Sequence, residues 1–393
     1  MKIIMKMNIA FTGILITLAS CTNYMQDLEI TACKPSAAIN ANYSKANSIQ
    51  GVIDELITQG IPGCALAIYS DEGWWASASG VAKIESNMAM ETCNLQYLQS
   101  VSKTYMAVGI LKLYEEGKID LQAPMTNYLP EKYARYIRDG HRVTIQMLLN
   151  HTSGIPEYNF QPDYVARLLQ HPDYPFVPED YLKYIDGKPF DFEPGSKYSY
   201  RNTNYVLLAL IADAITGDHA TYLSDVIFKP LGLTNTFYRN DKNYLNYPQL
   251  VNSYWDRYSN HVVENVSQMQ RNNVASLIGD DGIVATPIDA VKFLQGLMSG
   301  KLLQPATLEL MKTWVNDSKG NPAYGLGLDY TLFQGEVAYG HSGGGIGAGC
   351  NLYYFPKQNV YAFIAINLGT VTDSPIHKTA EKTVDKFYEV LLK

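Results

Sequence analysis

Cysteine is scarce in this 393-residue chain, and its five copies, at 21, 33, 64, 93 and 350, never fall at C-x-x-C spacing. That removes zinc ribbons and thioredoxin-like redox sites from consideration. The seven histidines include no H-E-x-x-H and no closely spaced ligand group, so a metal-dependent hydrolase has no support. Positive charge is not in excess: the formal net charge is -7, without a basic stripe, which argues against nucleic acid as a partner. Fixed-period repeats and low-complexity tracts are missing as well, which excludes solenoids and leaves a globular chain.

What is present is the composition of a folded protein, 47% hydrophobic and 18% charged, with 30 tyrosines that suit a polar, ring-lined cleft. The length allows one large domain or two intimately packed ones. Lys2 and Lys6 begin a basic start, and Ile9 to Ala19 is apolar but too short to span a bilayer as a mature helix. The stretch ends Leu18-Ala19-Ser20-Cys21, which resembles a bacterial lipobox. Residues 1–20 are expected to be a lipoprotein signal peptide and Cys21 the lipidated new N-terminus, giving an exported, membrane-anchored protein at the periplasm or cell surface. An ordinary secretory signal or an uncleaved anchor is the alternative. Residues 21–45 lack periodicity and are expected to be a tether. Cys64 and Cys350, beside small or apolar residues, are expected to be buried thiols; the spacing does not say which cysteines oxidise.

Along the chain, Ile49, Val52, Ile53, Leu56 and Ile57 recur at helical spacing after Asn47 and Ser48, either a candidate cap, and the helix ends at Gly60. GCALAIYS and GWWASASGVA around Asp71-Glu72 predict a hairpin. Thr104 to Glu116 predicts a helix closed by Gly117. Residues 118–270 change to short helical patterns rich in proline and aromatics. After a helix over 289–299, β-type runs return in YGLGLDYTLF, EVAYGHSG, NLYYFP and NVYAFIAINLG, and Lys378 to Leu392 forms a closing helix. The expected fold is α+β: an antiparallel sheet built from both termini (about 46–117 and 271–393), flanked by helices, with an inserted helical lobe (about 118–270). A cleft between the lobes is the natural ligand site.

Ser100 and Lys103 stand at i and i+3 where a polar turn gives way to an apolar helical run. On a helix they share a face, and a serine at the helix start has unpaired backbone N–H groups beside it that can hold an oxyanion. A lysine becomes a base there only if desolvation lowers its pKa. Taken alone, a capping serine and a solvated lysine explain the pattern equally well.

Further stretches decide the matter. Ser100-Val101-Ser102-Lys103 is followed by LKLYEEGKIDL, then by LLNHTSGIPEY (148–158), FKPLGLTNT (228–236) and GDDGIVATPIDAVKF (279–293). With these, the chain from about Ile49 onward resembles the serine β-lactamase and penicillin-binding superfamily, in the branch of class C β-lactamases, D-alanyl-D-alanine carboxypeptidases and related esterases. The resemblance implies a β-lactamase/transpeptidase-like fold and a Tyr-x-Asn motif. Four segments fit it, at Tyr200, Tyr238, Tyr244 and Tyr258. Tyr258-Ser259-Asn260 is the family's own spelling, yet only Tyr200-Arg201-Asn202 follows a Pro-Gly turn and enters an apolar helix, so Tyr200 and Asn202 are chosen. Arg201 replaces the family serine and is expected to point away from the pocket. No Lys-Thr-Gly occurs; His341-Ser342-Gly343 fills its place, as in carboxypeptidase and esterase members.

The resemblance implies a mechanism without metal or cofactor. Ser100 attacks a carbonyl, Lys103 and Tyr200 move its proton, and Asn202 orients Lys103 and the substrate amide. Backbone N–H groups of Ser100 and Gly344 form the oxyanion hole, while His341, Ser342 and Gly343 bind a substrate carboxylate or relay protons. The leading expectation is a D-alanyl-D-alanine carboxypeptidase-like peptidase acting on small or peptidoglycan-peptide substrates, with β-lactams as acylating ligands. The alternatives are a class C-like β-lactamase, an esterase or D-amino-acid amidase, and a non-catalytic penicillin-binding or sensor domain. The absence of Ser-Asp-Asn argues against the class A plan, and the absence of arginine over 324–340 leaves a terminal carboxylate without a fixed clamp from that strand segment.

Overall fold

The computed structural model describes residues 27–35, 39–238 and 246–393; Cys21 and the leader lie outside them. Its centre is a nine-stranded antiparallel sheet. The N-terminal part supplies β1 (Gly63–Ser70), β2 (Gly73–Lys83) and β3 (Met88–Ala89). The C-terminal part supplies β4 (Val315–Asn316), β5 (Pro322–Tyr324), β6 (Asp329–Phe333), β7 (Glu336–Gly344), β8 (Gly349–Phe355) and β9 (Val360–Ile366). The spatial order is β3-β2-β1-β9-β8-β7-β6-β5-β4, so β1 against β9 joins the two ends of the chain at the middle of the sheet.

Alternation along the strands builds two apolar layers. Leu66, Ile68 and Ile364 face α1 (Ala46–Thr58) and α6 (Pro375–Leu392), whose Ile53, Leu56, Phe387 and Leu391 complete that layer. Ala67, Leu352 and Phe363 face the opposite way, toward α5 (Pro287–Met298), which follows α4 (Ser267–Ser276) in the chain, and toward the helices of the inserted region. There α2 (Ser102–Glu115) and α3 (Asn202–Thr216) are buried nearly all round, which explains why their sequences show little polar face. Gly117 closes α2 as expected, with φ +69° and its N–H on the Tyr114 carbonyl. The first helix begins earlier than its candidate caps: Lys45 is the N-cap and makes no side-chain cap bond.

The expected tether is not free over its described part. Leu28 donates to Asn252 Oδ1 (2.8 Å), Thr31 to the Pro248 carbonyl (2.8 Å), and Asp27 pairs with Lys83 (2.7 Å). A disulfide between Cys33 and Cys93 then fixes the segment covalently, while Cys64 and Cys350 are buried thiols as expected. Periodicity was silent here because an extended strap bonded to loops has no repeating apolar face.

Candidate active site

A second, small sheet sets the position of Ser100. Gln96–Tyr97 pairs antiparallel with Val284–Ala285, and the ladder continues with Leu98 N–H on the Ile283 carbonyl (3.0 Å). Gln99 then adopts φ +49°, a left-handed conformation that turns the chain sharply into a short 3-10 turn, Gln99–Val101, just ahead of α2. The Ser102 hydroxyl accepts from Ile283 N–H (3.2 Å) and ties this turn to the loop that precedes Val284. One helical turn on from Ser100, Lys103 is fully buried. Its Nζ lies 2.9 Å from Ser100 Oγ and 2.8 Å from the Asp280 carbonyl.

Tyr200 completes the group. Lys103 Nζ is 5.0 Å from the centre of its ring. Burial raises the Tyr200 phenol well above its ordinary range, and the neighbouring Ser100 hydroxyl pulls the other way. Among the described residues the buried Tyr200 oxygen has no hydrogen bond of full geometry, the Ser100 hydroxyl being its near neighbour. Burial lowers the Lys103 amine, opposed by the charges of Asp280, Asp281, Glu157 and Asp329. The rival Tyr258 is 67% exposed, and Tyr238 is spent on His219 (2.7 Å) and Gly279 (2.8 Å). Arg201 does turn aside, onto Asp191 (2.9 Å) and Ser199 (2.7 Å).

Two expected roles are corrected. Asn202 opens α3 and lines the same cavity as Ser100, but its backbone N–H bonds Glu157; the bond expected from it to Lys103 is made by the Asp280 carbonyl. His341 is 2% exposed, and both its nitrogens are engaged inside the protein: Nε2 with Tyr324 OH (2.9 Å), Nδ1 with the Ser342 carbonyl (2.6 Å). A substrate carboxylate does not reach it. Strand alternation explains why, since His341 points into a nest of rings behind Ser100 that includes Tyr200 (6.0 Å), Tyr324 and His151. Ser342 and Gly343 line instead a groove between β7, β8 and α6, away from the nucleophile.

Gly344 lines both that groove and the Ser100 cavity. Gly343 is a steric requirement: a Cβ on it would stand 2.5 Å from the Leu98 carbonyl, whereas one on Gly345 would meet the end of the Gln99 side chain. At position 343 the strand passes this close to the turn that carries Ser100 because it has no side chain.

Ser100 opens into a cavity of about 570 Å³ shared with Gly344, Tyr164, Leu168, Trp255 and Ile346. A hydroxyl in contact with a buried amine, next to a phenol and a strand end, is a candidate nucleophile site by its chemistry. The model of the Beta-lactamase family matches residues 49–383.

The chain belongs to the Beta-lactamase family.

Among relatives, a Bacillus subtilis (strain 168) protein described as "Putative penicillin-binding protein PbpX" is 26% identical over 79% of this chain and 71% of its own length. An Escherichia coli (strain K12) protein described as "Putative D-alanyl-D-alanine carboxypeptidase" is 27% identical over 53% of this chain and 50% of its own length. Among solved structures, a D-stereospecific amidohydrolase from Streptomyces sp. superposes with a TM-score of 0.74 at 25% identity, over 87% of this chain and 98% of that one. The fold is the β-lactamase/transpeptidase-like one, and the protein is a serine hydrolase of that superfamily.

Within this family site, three carboxylates gather around Lys103. Glu157 is buried and raised to about 7 by burial; its oxygens take N–H groups of Asn202 and Asn159. Asp280 is raised to about 6 by burial, against the pull of Lys103 and of the Tyr158 hydroxyl on its Oδ2 (2.8 Å). Asp281 is raised to about 7 by burial and by the charge of Asp280. The sequence displayed them in GIPEY and GDDG, but nothing in spacing gives a role to acids brought together from segments over a hundred residues apart.

Proposed function

We propose that the protein hydrolyses amides or esters through an acyl-enzyme on Ser100. The observation that carries this reading is the 2.9 Å contact between Ser100 Oγ and the buried Lys103 amine. Burial favours the neutral amine, so Lys103 takes the serine proton as the Oγ–acyl bond forms. Burial keeps Tyr200 protonated, so its phenol hands a proton to the departing group and is refilled from Lys103. The N–H groups of Ser100 and Gly344, on one cavity wall, are assigned to the developing oxyanion, and water then cleaves the ester and restores Ser100.

The favoured substrates are acyl amides or esters without a carboxylate on the recognised side, as in a D-amino-acid amidase. Among the described residues, no lysine, arginine or histidine lines the cavity. The D-alanyl-D-alanine carboxypeptidase reading is second, supported by the relative of that description. Export and lipid attachment at Cys21 are proposed on the lipobox-like end of the leader and on the Cys33–Cys93 disulfide, which suits an oxidising compartment. Labelled-palmitate incorporation, lost in Cys21→Ala, tests that part.

Intact-mass measurement after incubation with an activated ester and with penicillin tests the chemistry. An adduct on the wild type, absent in Ser100→Ala, is the expected result with the ester. A stable penicillin adduct restores the peptidase reading to first place. No adduct with either reagent removes Ser100 as a nucleophile.

A further inference from the structure

Tyr200 is gripped on both sides by one residue that the acyl-transfer steps do not use. Residues 151–154 form a rail for the loop that leads to the phenol. The Gly154 carbonyl accepts from Asp191 N–H (2.8 Å), the Thr152 carbonyl from Gly195 N–H (2.7 Å) and the His151 carbonyl from Ser199 N–H (2.9 Å). This run of carbonyls reaches as far as Ser199, one residue short of Tyr200. The His151 ring carries the rail past it, since Nδ1 accepts from Arg201 N–H (3.2 Å). The residues before and after the phenol are therefore bonded to the same histidine, once through its carbonyl and once through its imidazole.

A second contact fixes which nitrogen holds the proton. Asn204 Nδ2 also lies 3.2 Å from Nδ1, and its amide is oriented by the Ser153 hydroxyl, which donates to Oδ1 (2.7 Å). Facing two donors, Nδ1 is the unprotonated nitrogen and Nε2 carries the hydrogen. The ring is wholly buried, and burial, with the nearby charge of Lys103, lowers its pKa and keeps it a neutral acceptor. It packs on the Tyr200 ring at 4.3 Å between centres and on Tyr324 at 4.6 Å, outside the lining of the Ser100 cavity. Local structure explains only part of this. His151 has φ +60° just beyond the short helix Ile145–Leu149, a left-handed position that glycine or asparagine commonly fills at helix ends. Glycine would satisfy that backbone and leave Arg201 N–H and the Asn204 amide without their acceptor.

We infer that His151 is a positioning residue for Tyr200, its carbonyl and Nδ1 bracketing the phenol and holding it beside Ser100 and Lys103. This rests on the acyl-enzyme reading, in which Tyr200 supplies the proton to the leaving group.

The test uses three esters of one acid whose leaving groups differ in their need for a proton: p-nitrophenyl, phenyl and ethyl acetate. Rates are counted per Ser100 that takes an acyl group, by intact mass, so that misfolded enzyme does not enter. His151→Leu keeps bulk but not the acceptor. It is expected to lose roughly tenfold more in kcat/KM on ethyl than on p-nitrophenyl acetate, with phenyl acetate between them. His151→Asn tolerates the left-handed backbone and places Oδ1 where Nδ1 stood, so it should restore most of that loss. His151→Gln carries the same amide one bond farther out and should not; it takes the place of His151→Leu if that variant does not fold. In a Tyr200→Phe background none of these substitutions should steepen the leaving-group dependence further. Equal loss on the three esters, equal behaviour of His151→Asn and His151→Gln, or a further selective loss without the phenol overturns the inference. The two levels separate cleanly: no adduct on wild-type Ser100 sinks the acyl-enzyme reading, whereas a normal adduct with an unselective loss in the His151 variants sinks only the positioning role.

Discussion

Lys103 stands between two buried walls of opposite chemistry. Behind it, Tyr200, Tyr324, His151 and His341 form a nest of rings in which burial raises the phenols and lowers the imidazoles. All four are thereby held neutral. Ahead of it, Glu157, Asp280 and Asp281 are acids raised to between about 6 and about 7, poised to change charge. Desolvation acts on both walls, but its outcome depends on the ordinary pKa of the group. The same burial silences a phenol or imidazole and makes a carboxylate titrate near neutrality. One wall therefore stays neutral, and the other changes charge near neutral pH.

The largest expected effect comes from removing the amine that divides the walls. Lys103→Ala should slow acylation by an activated ester by about 10³–10⁴-fold, read as the rate of adduct formation in stopped time points. Tyr200→Phe should cost less with an activated ester, whose leaving group needs no proton, and roughly hundredfold with an amide. A Tyr200→Phe enzyme that loses equally on both would place the phenol, rather than Lys103, as the base. The pH profile sharpens the same point. Acylation should rise as pH climbs through the lowered pKa of Lys103 and show no fall from Tyr200 below pH about 10, since that phenol is raised.

The acidic wall makes a prediction about stability. Asp281 titrates higher in the folded state than in the unfolded chain, where it keeps the usual carboxylate range. Its stabilising contribution is complete below the unfolded pKa and is lost as pH rises through about 7. Asp281→Asn can still accept the Gly282 N–H, so its melting temperature should match wild type near pH 4 and exceed it near pH 8, about one unit above that pKa. A constant offset at both pH values would show that no charge is being buried. The smallest effect belongs to the ring wall. With both nitrogens of His341 engaged, any pH dependence of KM for an anionic ester from pH about 5 to 8 should come from the acidic wall and persist in His341→Asn. A dependence that disappears in His341→Asn would return His341 to the carboxylate role.

Much of this was legible before any coordinates. The strands follow from apolar, β-type runs, and the joining of the two termini from such runs at both ends. Ser100 and Lys103 followed from i, i+3 spacing at a polar-to-apolar boundary, and Tyr200 from its setting rather than its spelling. The illegible parts share a physical cause: they depend on which way a side chain turns or on contacts between distant segments. His341 was found, but its strand face was not, since a register fixed by β8 decides it. Cys33 and Cys93 lie 60 residues apart and meet only because the strap folds back. The acids at 157, 280 and 281 look like ordinary loop residues until α2 and α3 bring them to one amine.

Asp280 joins these themes in a single residue. Its carbonyl grips the Lys103 amine while its carboxylate borders the space where a ligand sits. Ile283, three residues on, is bonded to Ser102 and Leu98 on either side of Ser100. One short loop thus carries a wall of the cavity, the grip on the amine and the ties that hold the hydroxyl in place.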